Sequence, residues 1–141
     1  MKITFVCTGN TCRSPMAEGI ARALLPEHEI ASRGITSIAG DPIAKHTKTL
    51  LEADGYPVKS TADILKSEDL EADLILTMTH DHAELIRLLY GAHENVMTLT
   101  EFVGEAGDVK DPFGSNFEVY EATYNELKAL IHMLKSKIPE A

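Results

Sequence analysis

The stretch Val6-Cys7-Thr8-Gly9-Asn10-Thr11-Cys12-Arg13-Ser14-Pro15 decides how this sequence is expected to fold. The residues Ile3-Thr4-Phe5-Val6 predict a buried strand that runs directly into it. A helix is predicted to begin near Pro15, because proline is favoured at the first position of a helix. Cys7 and Arg13 bracket five residues, so a cysteine and an arginine stand at the two ends of one tight turn between a strand and a helix.

A turn of this kind favours an oxyanion site. It can aim several backbone N–H groups inward, and the helix contributes the positive end of its dipole. Arg13 would close the site with a planar guanidinium that binds two oxygens at once. Cys7 would lie at the bottom, where the same positive field stabilises a thiolate. We therefore predict that Cys7 attacks phosphorus and forms a phosphocysteine, while Arg13 binds the equatorial oxygens.

Neighbouring residues support this interpretation of the Cys-x5-Arg spacing, which is weak evidence by itself. Gly9 and Asn10 are predicted to supply positive φ angles and inward N–H groups. Ser14 is predicted to cap the helix. An Asp-Pro pair far downstream, at Asp111, is also typical of a turn.

Residues 7–15 resemble the phosphate loop of the low-molecular-weight protein tyrosine phosphatases, and residues 111–114, Asp-Pro-Phe-Gly, resemble their general-acid loop. Within that family, Thr11 and the Phe-Gly pair resemble the bacterial protein-arginine phosphatases. The resemblance implies a cysteine-dependent phosphatase that hydrolyses phosphoarginine in proteins and releases inorganic phosphate without a cofactor. A tyrosine phosphatase on the same scaffold is the alternative.

The resemblance also implies roles for single residues. Asp111 would be the general acid and then the general base, with Asp108 as the competing candidate. Thr11 would face the pocket where tyrosine-specific members carry a bulkier aliphatic residue. The Ser14 hydroxyl would stabilise the Cys7 thiolate. The residues that would contact phosphate or substrate are Thr8, Gly9, Asn10, Thr11, Cys12, Ser14 and Phe113, the last as the pocket wall.

The two cysteines allow a redox interpretation. A sulfenic acid on Cys7 would be captured by Cys12 as a reversible disulfide. The alternative for Cys12 is a small buried packing residue.

Other functions fit the sequence less well. An arsenate reductase needs further cysteines to relay the disulfide, and none follows Cys12. A phosphate-binding module needs no general acid, and a phosphocysteine carrier should avoid hydrolysis, so Arg13 together with Asp111 argues against both. The six histidines are not expected to bind a metal. His80 and His82 are interpreted as a solvated pair at the start of a helix.

Composition favours one domain over residues 1–141, since 44% of the residues are hydrophobic and 25% are charged. The net charge of −9 disfavours nucleic acid and anionic membranes as partners. No apolar run is long enough to span a bilayer. Two cysteines and an N-terminus unlike a signal peptide predict a cytoplasmic protein.

The alternation of strands and helices predicts an α/β fold with helices on both faces of a four-stranded parallel sheet, in the order 2-1-3-4. Ligands in such sheets bind beyond the carboxyl ends of the strands, where both motifs would lie. The predicted strands are 2–6, 29–32, 72–78 and 95–99. The predicted helices are 15–25, 41–55, 79–90 and 117–138, with a short helix in 61–70 and a loop over 100–116.

Overall fold

A computed structural model describes residues 1–139; residues 140 and 141, the last two of the predicted domain, lie outside the described residues. The sheet has four parallel strands in the order β2-β1-β3-β4, which confirms the predicted topology. The strands are β1 (Lys2–Cys7), β2 (Glu29–Gly34), β3 (Leu74–Thr77) and β4 (Val96–Thr98).

Helices cover both faces of this sheet. Ile3 and Phe5 of β1 point into the larger core, and Val6 points into the smaller core on the opposite face, because successive side chains of a strand alternate. α1, α2 and α5 pack over the larger core, and α3 packs over the smaller one. The helices are α1 (Arg13–Leu24), α2 (Lys45–Ala53), α3 (His80–Tyr90), α4 (Leu99–Val103) and α5 (Phe117–Lys137).

Three predicted boundaries are wrong for identifiable reasons. α1 begins at Arg13 rather than Pro15, so the proline lies in the first turn, where its missing N–H costs nothing. α2 begins at Lys45, because Pro42 pairs with Thr61 in an isolated β-bridge and Ala44 is extended. The short helix expected in 61–70 is a 3₁₀ turn at Ser67–Glu71.

The loop predicted for 100–116 begins inside a helix, α4. Thr98 and Glu101 form a capping box there: Thr98 Oγ1 accepts from the Glu101 N–H at 2.9 Å, and Glu101 Oε1 accepts from the Thr98 N–H at 3.1 Å. The sequence signal was the Thr-x-x-Glu spacing, which favours a helix start.

Two segments that matter for function meet at the carboxyl ends of β1 and β3. The loop 8–12 joins β1 to α1, and the segment around Val109 returns to the same edge. There the Val109 N–H donates to the carbonyl of Met78, the residue after β3, at 2.9 Å. No helix within residues 1–139 is long and apolar enough to cross a membrane.

Gly19 of α1 generates a test of the core packing. A Cβ at this position would lie 2.5 Å from the carbonyl oxygen of Pro57 and 2.6 Å from a methyl carbon of Leu51. We expect Gly19→Ala to lower the free energy of unfolding by about 1–3 kcal/mol, because the backbone carbonyl cannot move aside cheaply. Urea unfolding measures this. Helix propensity alone favours alanine by about 0.8–1.0 kcal/mol, so a more stable variant would contradict the packing argument.

Candidate active site

The loop between Cys7 and Arg13 wraps around the N-terminus of α1. Asn10 has a φ of 56°, and it is the one non-glycine residue with a positive φ among residues 1–139. Gly9 does not have a positive φ, so the prediction for that residue is wrong. A Cβ at Gly9 would meet nothing closer than the Thr11 hydroxyl at 3.7 Å. The left-handed turn of the loop therefore depends on Asn10 alone.

The side chain of Asn10 is fully buried and uses all of its hydrogen-bonding capacity. Its Nδ2 donates to Ser14 Oγ at 2.8 Å and to Ser32 Oγ at 2.9 Å. Its Oδ1 accepts from Lys59 Nζ at 2.7 Å and from the Asp63 N–H at 2.9 Å. The amide thus ties the loop to α1, to β2 and to the segment that precedes the 3₁₀ turn.

Cys7 is buried at the end of β1, and its Sγ lies 2.9 Å from Ser14 Oγ. Ser14 does not cap α1 as predicted, because the cap position is Cys12 and no side chain fills that role. The Ser14 oxygen accepts from Asn10, and its own proton can be donated to the Cys7 sulfur at 2.9 Å or to the Arg33 carbonyl at 3.4 Å. This geometry suits a hydroxyl that stabilises a Cys7 thiolate, the role that the family resemblance implies.

Arg13 joins the phosphate loop to the segment that carries Asp111. Only 4% of its surface is exposed. Its Nη1 donates to the Val109 carbonyl at 2.9 Å, and its Nη2 lies 3.5 Å from Asp111 Oδ2. Its Nε is buried and has no hydrogen-bond partner among residues 1–139. The protein thus engages at most one N–H on each terminal nitrogen, and three of the five guanidinium N–H donors, that of Nε among them, are left for a ligand.

Asp111 and Asp108 differ in their surroundings. The Asp111 side chain is 50% exposed and lines the cavity beside Arg13. Asp108 accepts from the backbone N–H of His80 at 2.9 Å and lies 2.7 Å from His80 Nδ1. Burial opposes ionisation of Asp108, but these hydrogen bonds outweigh it and hold its pKa below the usual range. Asp108 is thus an anchor of the segment, and Asp111 is the better candidate for the general acid.

A cavity of about 520 Å³ opens above the loop. Of the residues predicted from the sequence, Asn10 and Ser14 lie beneath the loop rather than in the cavity. The predicted residues that line the cavity are Cys7, Thr8, Gly9, Thr11, Cys12, Arg13, Asp111 and Phe113.

The sequence alone did not indicate which residues form the opposite wall of the cavity. That wall is formed by Thr36, Ser37, Ile38, Asp41, Pro42 and Ala44. Several of these residues also brace the phosphate loop: Ser37 Oγ donates to the Gly9 carbonyl at 2.8 Å, and the Ala44 N–H donates to the Thr11 carbonyl at 2.9 Å. None of these residues belongs to a recognisable sequence motif, so only the tertiary structure identifies them.

Cys12 is buried beneath the cavity, and its Sγ lies 3.4 Å from the hydroxyl of Tyr120 on α5. Burial raises the pKa of the Cys12 thiol, and the hydrogen bond from Tyr120 opposes this only in part. Both Cys7 and Cys12 are free thiols. These contacts fit a packing role for Cys12. A disulfide between the two cysteines stays a prediction.

His82 is not solvated, which corrects the interpretation of the His80 and His82 pair. Only 6% of its surface is exposed, and its Nε2 lies 2.8 Å from Thr8 Oγ1. Thr79 caps α3 by accepting from the His82 N–H at 3.2 Å, which places His82 in the first turn of the helix. His80 is exposed, as expected, and pairs with Asp108. Residues 1–139 contain no cluster of three or more metal-ligating side chains.

Comparison with known proteins matches residues 2–141 to the family described as low molecular weight phosphotyrosine protein phosphatase. A relative from Staphylococcus epidermidis, the low molecular weight protein-tyrosine-phosphatase PtpB, is 48% identical over 137 residues. The match covers 97% of this chain and 99% of the relative.

Two similar solved structures carry a different activity in their names. The YwlE arginine phosphatase from Geobacillus stearothermophilus has a TM-score of 0.91 and 39% identity, covering 96% of this chain and 91% of that one. A cysteine-to-serine mutant of YwlE arginine phosphatase, with a phosphorylated active site serine, has a TM-score of 0.93 and 35% identity. That match covers 96% of this chain and 94% of the other.

The geometry around Asp111 generates a test of the general acid. We expect Asp111→Asn to slow hydrolysis of substrates with poor leaving groups by roughly 10²–10⁴-fold, because the departing atom loses its proton donor. Steady-state kinetics should show a smaller loss on an activated aryl phosphate, which needs less protonation. Asp108→Asn is the matched control, since it removes the same charge from the same segment. If the control shows this leaving-group pattern and Asp111→Asn does not, the acid is Asp108.

Proposed function

Because this chain belongs to the low molecular weight phosphotyrosine protein phosphatase family, whose members are cysteine-dependent phosphatases, we propose that it hydrolyses phosphoarginine in proteins. The observation that carries the proposal is that Thr11, a residue of the phosphate loop, lines the cavity. A phosphoryl group on arginine and one on tyrosine present the same oxygens to the loop. Discrimination between them must therefore come from the walls.

The proposed reaction has two steps. The Cys7 thiolate attacks phosphorus, the P–N bond breaks, and Asp111 donates a proton to the departing guanidine nitrogen. Asp111, now a carboxylate, then takes a proton from water, which attacks the phosphocysteine and releases inorganic phosphate. Arg13 and the backbone N–H groups of the loop hold the equatorial oxygens in both steps.

Thr11 would provide a polar contact where a hydrocarbon would provide none. A β-branched side chain is stiff at χ1, so its hydroxyl and methyl hold a fixed position. That hydroxyl would contact a guanidinium nitrogen or the attacking water. A site built around a polar group of the substrate rejects analogues that lack it by larger factors than apolar fit alone, which gives roughly 10–200-fold.

The outer walls of the cavity also suit a guanidinium better than a phenyl ring. Among residues 1–139, Phe113 is the one aromatic residue that lines the cavity, and it is 73% exposed, so it does not form a closed aromatic slot. The Asp41 carboxylate lines the opposite wall and has no hydrogen-bond or ion-pair partner among residues 1–139. A guanidinium is a cation and a phenyl ring is not. The negative charge of Asp41 therefore favours binding of the arginine substrate.

The relatives support both candidates. The names of the YwlE structures favour arginine, and the phosphorylated serine in one of them supports a covalent intermediate on the residue that Cys7 would supply here. The PtpB name of the 48% identical relative favours phosphotyrosine, which is the second candidate.

Thr11→Ile tests the specificity. We expect kcat/KM to fall for a phosphoarginine peptide and to stay equal or rise for a phosphotyrosine peptide, because the variant trades a hydroxyl for a larger apolar group. The quantity to compare is the ratio of the two specificity constants in wild type and variant. Thr36→Ile, the same change in the opposite wall, is the control. An unchanged ratio would make phosphotyrosine the leading assignment.

Asp41→Asn tests the charge of the wall. We expect a loss of roughly two- to five-fold in kcat/KM for phosphoarginine, the factor that corresponds to a partly exposed charge pair of about 0.4–1 kcal/mol. Hydrolysis of an aryl phosphate ester, whose aryl group carries no positive charge, should not slow. Increasing the salt concentration should shrink the difference between wild type and variant, because salt screens the pair. Equal losses on both substrates would contradict a contact with the guanidinium.

A further inference from the structure

We propose that His82 is a positioning residue that orients the Thr8 hydroxyl, so that Thr8 donates a hydrogen bond from its side chain to a phosphoryl oxygen of the substrate. The inference rests on the phosphatase activity in the proposed function and not on the choice between arginine and tyrosine. It assigns a purpose to a buried imidazole that takes no part in the two reaction steps.

The hydrogen bond between His82 and Thr8 is short, and only the His82 ring is buried. His82 Nε2 lies 2.8 Å from Thr8 Oγ1, and the ring is almost wholly enclosed. The other ring nitrogen, Nδ1, is buried and has no hydrogen-bond partner among the residues that the structure describes. Thr8, in contrast, is exposed and lines the cavity next to Cys7. The pair therefore connects the first turn of α3 to the floor of the site.

The unpartnered nitrogen selects one tautomer of His82. A proton on Nδ1 would leave a buried N–H donor without an acceptor, which is rare and costly in proteins. A proton on Nε2 is instead shared with Thr8, and only a lone pair on Nδ1 remains unsatisfied. The tautomer with the proton on Nε2 is therefore favoured, and His82 donates to Thr8 Oγ1.

The direction of that hydrogen bond determines what Thr8 can do. A hydroxyl has one proton, and the Thr8 oxygen already accepts from His82. No other side-chain hydrogen bond of Thr8 occurs within residues 1–139. Its proton is therefore free for an acceptor in the cavity, where Arg13 and the backbone N–H groups of the loop would hold the phosphoryl oxygens. Hydrogen bonds to charged acceptors are the stronger kind.

The surroundings keep the imidazole neutral. Burial, together with the positive charge of Arg13, lowers the pKa of His82 to about 4, against the opposing charges of Asp111, Asp108 and Asp81. At neutral pH the site thus holds one buried cation, Arg13, and one neutral donor, His82. A rigid helix start, capped by Thr79, supports the ring.

Kinetics of four single variants and one double variant test the proposal. We expect Thr8→Val and His82→Leu each to lower kcat/KM by roughly 10–100-fold, the value of a hydrogen bond to a charged group. Thr8→Ser, which keeps the hydroxyl, and His82→Gln, which keeps an N–H donor, should lose much less. The double variant Thr8→Val/His82→Leu should be no slower than the slower single variant, because both act through one hydrogen bond.

Controls separate this role from a loss of folding and from an error in the proposed substrate. Thermal unfolding of every variant measures stability, and His132→Leu on the exposed side of α5 controls for removal of an imidazole. All rates are measured on phosphoarginine and on an activated aryl phosphate, and inorganic phosphate is tested as a competitive inhibitor. Equal losses on both substrates, with weaker inhibition by phosphate, support the proposal even if phosphotyrosine is the natural substrate.

Nitrogen-15 NMR of the wild-type protein gives an answer that needs no variant. We expect His82 Nε2 to have the chemical shift of a protonated ring nitrogen and Nδ1 that of an unprotonated one, with Nε2 responding to added phosphate. A proton on Nδ1 would overturn the proposal, because Thr8 would then have to donate to His82. Additive losses in the double variant would overturn it as well.

Discussion

The left-handed backbone at Asn10 is the constraint on which the rest of the site depends. This conformation costs a non-glycine residue about 1–2 kcal/mol, and the four hydrogen bonds of the Asn10 side chain offset that cost. Glycine would adopt the same φ at no steric cost but would have no side chain to reach Ser14, Ser32 or Lys59. The loop is thus shaped by a residue that also fastens it to three other parts of the chain.

The network extends beyond the loop into the interior. Ser32 Oγ donates to Glu18 Oε1 at 2.7 Å, and Lys59 Nζ lies 3.9 Å from the same carboxylate oxygen. The Lys59 and Glu18 side chains are both largely buried, and each also has a closer partner of opposite charge: Asp63 Oδ2 lies 3.1 Å from Lys59 Nζ, and Arg22 Nη1 lies 3.4 Å from Glu18 Oε2. The shape of the phosphate loop is therefore coupled to a buried ion pair that the reaction never touches.

The sequence was sufficient to predict the strand order and the loop, because both follow from local patterns: apolar strands, a tight turn and a proline at a helix start. The errors arose where distant residues decide the outcome. Ser14 was expected to cap α1, but the buried Cys7 and Asn10 engage its hydroxyl instead. His82 was expected in solvent, although the cap at Thr79 turns it inward toward Thr8.

The guanidinium of Arg13 lies almost fully enclosed in a protein of net charge −9. An approaching phosphate therefore meets repulsion at long range and attraction only once it enters the cavity. Repulsion between separated charges decays over about 8 Å at physiological ionic strength and about 3 Å at 1 M, whereas buried contacts are screened much less. Moderate salt should consequently accelerate the capture of small phosphorylated anions while leaving their residence time nearly unchanged. Such behaviour is the reverse of that of enzymes whose surface charge steers the substrate inward.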